Sequence, residues 1–542
     1  MSEFSEMHDV LIVGAGPVGL ALATELAMRG HSVFVAERND RTGVQPRAKT
    51  TNVRSMTHMR RWGLAGEIRK RAPLREGFRR RVRFATGLFG HDIHYFDNAF
   101  CAEPARDDRF PENAEFIPQY IVEGVLHDHA AAHPLITLSM GTRFDGFTQD
   151  DQGVTAQLAD VETGATRRVR ARYMVGADGG RSAVRDQLEI AMRGDFDMVS
   201  FVTLILRIPG LVDDPELNEA LFHWIIDPAA PSILGPMDKA DLWYWSKAAP
   251  RSEPSDTETM LDFVRSNIGK PYEVEVLARD DWTVHGILAD RYREGRVFLA
   301  GDACHLHSPF GGHGMNQGIG DAVDLGWKLA AALEGWGGEA LLDSYQFERR
   351  QMHEHILRTA SENVATLSDF FAAPDLMADS EAGIRARATC ADAIETAKAP
   401  EFHSLGLVLG FRYEGSAINA EEPGPLPPLS VTEYTPSARP GFIAPHAWRA
   451  DGTSLYDSFG LGYALLRLGP SDAALEKGLL DAATEIGLPL TVVSAAEPDL
   501  RALYGADYAL VRPDQHIAWR GDSLDSPREL LDRLRGQPVV PA

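Results

Sequence analysis

DVLIVGAGPVGLALATELAMRGHSVFVAER runs from Asp9 to Arg38. Val10 to Val13 is a short apolar run, the pattern of a parallel strand buried on both faces. Glycines follow at 14, 16 and 19, and apolar residues recur at helical spacing from Pro17 to Arg29. His31 to Ala36 reads as a second strand. Strand, glycine turn, helix and strand make a βαβ unit with a right-handed crossover. Each glycine of G-x-G-x-x-G has its own task. Gly14 permits a tight turn, Gly16 lets the backbone approach a pyrophosphate, and Gly19 allows close packing of helix on strand. The helix N-terminus then faces negative charge. Glu37 ends the second strand, where a carboxylate can accept the ribose hydroxyls, and Arg38 adjoins it as a further contact. A dinucleotide is implied; FAD and NAD are not separated by this unit.

A second glycine-rich segment lies far along the chain: GRVFLAGDACHLHSPFGGHGMNQGIGDAVDLGWKLA, residues 295–330. Arg296 to Ala300 reads as a buried strand that leads into glycines and a helix from about Gly318 to Leu333. Asp302 follows the strand, and Pro309, the glycines at 311, 312 and 314, and Asn316 come next. Glycines let a chain run against a flat ring without Cβ clashes. A helix N-terminus there would stabilise the negative charge of a reduced ring. Taken together, the two segments point to a flavin held at both ends, and so to redox chemistry.

The 542 residues are enough for two or three domains. A net charge of -24 argues against a nucleic-acid partner, which needs a basic face. Three cysteines without a CxxC pair give no disulfide framework, which fits a reducing cytoplasm. MSEFSEMHD lacks a basic n-region, and no apolar window is long enough to cross a membrane. Residues 78–110 read as loop-rich. Alternating patterns from Ile136 to Val175, and in FVTLILRI, LFHWII and DLWYWSK, predict antiparallel sheet. The Pro-rich stretch EEPGPLPPLSVTEYTPSARPG opens a last unit with a βαββα-like pattern.

Three fingerprints are similar to those of the para-hydroxybenzoate hydroxylase-like, or group A, flavoprotein monooxygenases. They are GAGPVGL with Glu37, YMVGADGGRSAVR around Asp178 and Gly179, and the GD segment with Asp302. They cover the first 400 residues in the family's order. RYEGSAI at 412–418 and VRPDQHIAWR at 511–520 further resemble the thioredoxin-like third domain of the phenol and phenylpropionate hydroxylases. The resemblance implies a mixed α/β fold in which a Rossmann-like FAD-binding domain (1–195 and 286–400) is interleaved with an antiparallel-sheet substrate domain (196–285). A thioredoxin-like domain would follow at 405–542. Gly14, Gly16, Gly19, Glu37 and Arg38 would hold the ADP half of FAD, and Arg47, in QPRAKT, would lie near the cofactor. Gln119 would touch the flavin, and Asp178 would serve both FAD and reduced nicotinamide. Asp302 would reach the ribityl and pyrophosphate region, and Pro309, Gly314, Met315 and Asn316 the ring. The implied reaction hydroxylates a phenolic or related small aromatic substrate with O2 and transient NADPH or NADH, through a flavin C4a-hydroperoxide. No metal is implied, and a homodimer is possible.

The base that would deprotonate a phenol is less legible. Phenol hydroxylases of this class place an acid a few residues after the PRA segment, where this chain has Thr50, Thr51 and Asn52. His285, in WTVHG, and His313, inside GGHG, are the candidate catalytic residues on the strength of a near-neutral reference pKa. His305 and His307 stand beside the flavin loop and resemble a metal set only by composition. Phe201, Phe222, Trp224, Trp243 and Tyr244 could line an aromatic cleft or simply fill a core. Arg54 or Arg207 could meet a substrate carboxylate, though a structural role is the plainer reading. The alternatives are hydroxylating or Baeyer–Villiger oxygenation of a polycyclic aromatic polyketide, a halogenase, and a non-catalytic flavin-binding protein. The halogenase W-x-W-x-I-P signature is incomplete at Trp243-Tyr244-Trp245.

Overall fold

The computed structural model describes residues 7–40, 48–74, 77–238, 240–249 and 256–538. Arg47 lies outside them. Five parallel strands form the centre of an eight-stranded first sheet, in the order Val297–Leu299, Thr166–Gly176, Met7–Val13, Val33–Ala36, Ile136–Ser139. Val10, Ile12, Val33 and Val35 are fully buried, as strands covered on both faces require. The strand Thr166–Gly176 has two partners. Its first half pairs antiparallel with Gly153–Asp160, and its second half pairs parallel with Met7–Val13.

The helix Pro17–Ala27 covers this sheet and packs against the long helix His313–Glu334. The long helix starts five residues before the expected Gly318, because Gly312 takes the left-handed conformation (φ 68°) that caps it. Its glycines are contact points. A Cβ at Gly318 would lie 2.4 Å from Val18 Cγ2, and one at Gly326 would lie 2.5 Å from Glu25 Cγ.

The second sheet has eight strands, built around the long antiparallel pair Met192–Arg207 and Glu275–Ala289. Leu242–Ala248, Ser232–Pro236 and Phe222–Ile225 extend it as antiparallel neighbours. Val82–Ala85 then joins parallel to Phe222–Ile225 and forms a hairpin with Asp92–Phe96. These last two strands come from the stretch read as loop-rich. Alternation sorts the faces of the sheet. Phe201, Thr203 and Ile205 line a cavity, whereas Val202, Leu204 and Leu206 enter a separate apolar core with Trp243 and Trp245.

The C-terminal unit is a mixed four-stranded sheet in the order Leu490–Ser494, Tyr463–Arg467, Tyr508–Val511, Ile517–Gly521. Its first pair is parallel and the others antiparallel. Ala473–Ile486 and Pro527–Leu534 pack together beside it. Among the described residues, no helix is long and apolar enough to cross a membrane.

Candidate active site

Four adjacent parallel strands end at one edge of the first sheet, and each delivers a site residue there. Met7–Val13 leads to Gly14, Val33–Ala36 to Glu37, Thr166–Gly176 to Asp178, and Val297–Leu299 to Asp302. Ligands of open parallel sheets bind at this carboxyl edge. A cavity of about 1040 Å³ starts there and continues beneath the second sheet. Gly14, Gly16, Glu37, Arg38, Gln119, Asp178, His285, Asp302, Pro309, Gly314 and Met315 all line it.

The glycines have distinct surroundings. Gly14 (φ 108°) would place a Cβ 2.3 Å from the Ala177 carbonyl oxygen, and Gly19 would place one 2.0 Å from that of Gly14. A Cβ at Gly16 would meet nothing within 4 Å, so the cavity opens against bare backbone at the start of Pro17–Ala27. That helix has no side-chain cap, which leaves its first N–H groups for a ligand. Glu37 is braced from within the chain: Ala15 N–H donates to Oε2 at 2.8 Å, and Asn39 N–H donates to Oε1 at 2.9 Å. Asp178 Oδ2 accepts from the Ala183 and Val184 N–H groups at 2.8 and 3.3 Å. Its Oδ1 is buried with no partner, and burial raises the carboxyl's pKa. A backbone cradle free of side chains, an uncapped helix and an unpartnered carboxylate oxygen on one wall all fit a dinucleotide.

At the other end of the groove, Gly311 (φ 94°) and Gly312 turn the chain into His313–Glu334. Asn316 does not line the cavity. Its amide donates to the Thr50 and Gly312 carbonyls at 2.8 and 2.6 Å, and its oxygen accepts from Asn52 N–H at 2.9 Å. It therefore ties residues 50–52 to the glycine loop at 311–312. His313 is also turned away and is 1% exposed; burial pushes its imidazole down to about 4. His285 lines the cavity, and its Nδ1 accepts from Asp197 N–H at 3.1 Å at a bulge in the long strand pair. Gly19 lies within the packing of the first helix rather than on the cavity wall.

Some positions carry more than their sequence suggested. Asp321 accepts from the Gly301 N–H at 3.0 Å, and pairs with His305 at 2.8 Å, Arg349 at 2.7 Å and His353 at 3.1 Å. Burial opposes its charge, yet His353, Arg349 and His305 hold its carboxyl well below the usual range. It thus fixes the turn that presents Asp302. Only its distance from Gly301, a helix away in sequence, hid this. Phe201 stacks on Trp282 with centroids 4.7 Å apart and planes at 11°, and Phe222, Trp224, Tyr244 and Phe310 complete an aromatic lining. Trp243 points into the other core. Arg54 is held by Gln515 and the Asp514 carbonyl, and Arg207 pairs with Glu275 at 2.7 Å. Neither lines the cavity.

Two family models match, one described as an FAD binding domain over residues 7–360, the other as an aromatic-ring hydroxylase C-terminal domain over residues 437–538. The chain is 32% identical to a putative polyketide hydroxylase of Streptomyces halstedii, over 97% of this chain and 95% of that one. It is 35% identical to aklavinone 12-hydroxylase DnrF of Streptomyces peucetius, over 84% and 91%. Among solved structures it is similar to chromopyrrolic acid-soaked RebC with bound 7-carboxy-K252c: TM-score 0.91, 36% identity, covering 98% of this chain and 100% of that one. These likenesses overturn the expected placement in the phenol and phenylpropionate hydroxylase branch with its thioredoxin-like domain; the chain groups instead with RebC and the aklavinone hydroxylases. The physical reason lies in the segments that suggested that branch. Tyr413 and Ser416 of RYEGSAI bond to Arg349 and Glu348, and Arg512 of VRPDQHIAWR bonds to Glu348. They dock the last domain and do not touch the cavity, so they carry no information on substrate branch. The chain belongs to the FAD-dependent aromatic-ring hydroxylases: it binds FAD and is a single-component aromatic monooxygenase.

Proposed function

We propose that the protein oxygenates a polycyclic aromatic ring system of the polyketide kind, with NADPH or NADH as transient reductant and O2 as oxidant. The observation that carries this reading is the single cavity that joins the dinucleotide groove to an aromatic-walled space under the second sheet. Rings such as Phe201, Trp282 and Trp224 offer flat faces that suit a flat, extended substrate. The naming of relatives as polyketide and aklavinone hydroxylases supports the same class.

Gly14, Gly16, Glu37 and Arg38 would take the adenosine and pyrophosphate end of FAD, with Gly19 letting the first helix pack close behind the turn. Asp302, Pro309, Gly314, Met315 and Gln119 would face its ribityl chain and ring, with Asn316 acting through the loop it clamps. Asp178 would offer its unpartnered oxygen to the cofactor or to the nicotinamide. Residues 1–195 and 286–400 would serve the cofactor. Residues 196–285 would serve the substrate, joined by the strands Val82–Ala85 and Asp92–Phe96. The flavin, once reduced, supplies activated oxygen. The chain's part is to orient the substrate ring against that oxygen, to exclude water with its aromatic walls, and to manage the phenolic proton.

The test is a panel of monocyclic phenols, hydroxyanthraquinones and larger angular or linear polycycles, scored by product connectivity. Oxygen inserted into a polycyclic ring, with tight coupling to NAD(P)H, is the expected result. Turnover confined to monocyclic phenols would sink the polycyclic reading. Lactone products would move the reaction to Baeyer–Villiger oxygenation.

A further inference from the structure

We propose that Lys49 is the catalytic base that takes the proton from an ionisable ring hydroxyl of the substrate. The proposal rests on the functional reading above and supplies the base missing from Thr50, Thr51 and Asn52.

Lys49 lines the cavity, with its Nζ 3.2 Å from the centroid of the Tyr244 ring. Its backbone is clamped on both sides. The Lys49 carbonyl accepts from Ile117 N–H at 2.7 Å, the Ala48 carbonyl from Gln119 N–H at 2.8 Å, and Asn316 grips Thr50 and Asn52. Among the described residues, no carboxylate lies within 4.0 Å of its amine; the aromatic face beneath it is its close partner. Lys49 is half-buried, and a desolvated amine without a counter-ion favours its neutral form. Burial pushes the Lys49 ammonium down to about 7, within reach of neutral pH.

Several other titratable groups face the same cavity, and most are occupied or shifted away from this role. Tyr244 and Tyr120 have their hydroxyl pKa values raised, Tyr244 by burial alone and Tyr120 chiefly by burial. Glu401 is paired with Lys398 at 2.8 Å, and burial raises its carboxyl. Burial, with its neighbouring histidines, drives His307 well below the usual range. His285 already accepts a backbone hydrogen bond. Asp280, which lines the cavity from the strand Glu275–Ala289, is the competing proton acceptor that the Lys49 variants test.

In the proposed step the substrate O–H bond breaks and an N–H bond forms at Lys49 Nζ. The electron pair stays on oxygen, giving a phenolate and an ammonium; nothing is oxidised or reduced. The phenolate spreads its charge to the ortho and para carbons, which become better nucleophiles. The ion pair also restores a counter-charge to the desolvated amine.

The FAD-loaded enzyme, without NAD(P)H, is titrated with alizarin, a hydroxyanthraquinone whose ionised form is red. Wild type is expected to bind it as the anion, with the apparent pKa of the bound dye lowered by about one unit, a tenfold shift. Lys49→Met should abolish that shift while FAD content and circular dichroism stay unchanged. Lys49→Arg should keep the shift, because its charge is fixed, yet lose the pH limb of turnover near 7, because guanidinium accepts no proton. The proposal is overturned by a neutral or unbound dye in wild type, by a retained shift in Lys49→Met, or by a wild-type pH limb in Lys49→Arg. Should Lys49→Met fail to fold, the Arg variant's spectrum and pH profile decide alone. If wild type oxygenates polycyclic phenols and the Lys49 variants match it, the base role falls alone. If no panel compound is oxygenated, the functional reading falls.

Discussion

The three glycines of the first turn sit in unlike steric environments, and the difference predicts unlike phenotypes. The chain's own packing demands glycine at 14 and 19, where a Cβ would lie 2.3 and 2.0 Å from carbonyl oxygens. Gly16 has an ordinary φ of -72° and open space beside it, so the fold itself would accept alanine. Gly16→Ala should leave the Tm of the apoprotein within about 2 °C of wild type while weakening FAD at least tenfold, about 1.4 kcal/mol. Gly19→Ala should destabilise the apoprotein itself by about 1–3 kcal/mol through overpacking. Scanning fluorimetry of the apoproteins and a flavin-fluorescence titration separate the two; an equal loss of Tm in both variants would contradict the assignment. Such backbone demands were readable because they are local and steric. Lys49 was not readable. Its significance comes from Tyr244, about two hundred residues away, and from the absence of a counter-ion, and neither leaves a mark on QPRAKT. Asp321 was missed for the same reason, since only the fold returns its carboxylate to Gly301.

The start of the long helix was harder to read than the strands, because glycine is a poor helix former and the run from Gly311 to Gln317 looks like loop. Contact overrides propensity here: without side chains at 318 and 326, His313–Glu334 can lie against Pro17–Ala27. The same long helix carries a buried charge cluster with Glu339–Val364 and the C-terminal unit. Lys328 bonds to Asp324 at 2.8 Å and Glu348 at 2.7 Å, while Arg512 bonds to Glu348 at 2.6 Å and Asp514 at 2.6 Å. Three carboxylates face two cations, so one extra proton balances the set. Burial, with Glu348 and Asp514 nearby, outweighs Lys328 and raises Asp324 to about 8. The folded state then holds a proton that the unfolded chain has lost above about pH 4, and stability from this group falls as pH rises toward 8. Asp324→Asn should remove that fall, with little change near pH 5 and higher stability than wild type near pH 8. Urea midpoints at about pH 5, 6.5 and 8 check it; parallel curves for the two proteins would refute the assignment. Arg512→Met should cost about 3–5 kcal/mol, because it leaves buried carboxylates without their cation.

At the scale of the whole molecule, local patterns reported the parallel sheet, the antiparallel sheet and the final small unit. They did not report how Val82–Ala85 reaches across to Phe222–Ile225, since a parallel pairing that far apart in sequence leaves no turn to read. Nor did they reveal that the C-terminal unit shares a core with the FAD-binding part. Trp327, Trp336 and Leu341 pack with Tyr463, Leu465, Leu531 and Leu534 in one buried cluster, and Trp327 meets the Tyr463 ring edge-on at 6.1 Å. A few residues away, Arg512 enters the charge cluster of the two long helices. Apolar and ionic contacts together make the last unit part of the main body, not a tethered accessory. Full-length holoenzyme should therefore unfold in one transition, with flavin release, far-ultraviolet circular dichroism and tryptophan emission coincident. Trp327→Ala should lower the common midpoint, by about 3–5 kcal/mol, and keep the curves superimposed, because it opens a cavity in a core both parts need. A chain ended after residue 436 should be insoluble, since it exposes Trp327 and Trp336 and strips Glu348 of Arg512. An early, separate melting of the C-terminal unit, with flavin still bound, would show instead that the shared core is dispensable.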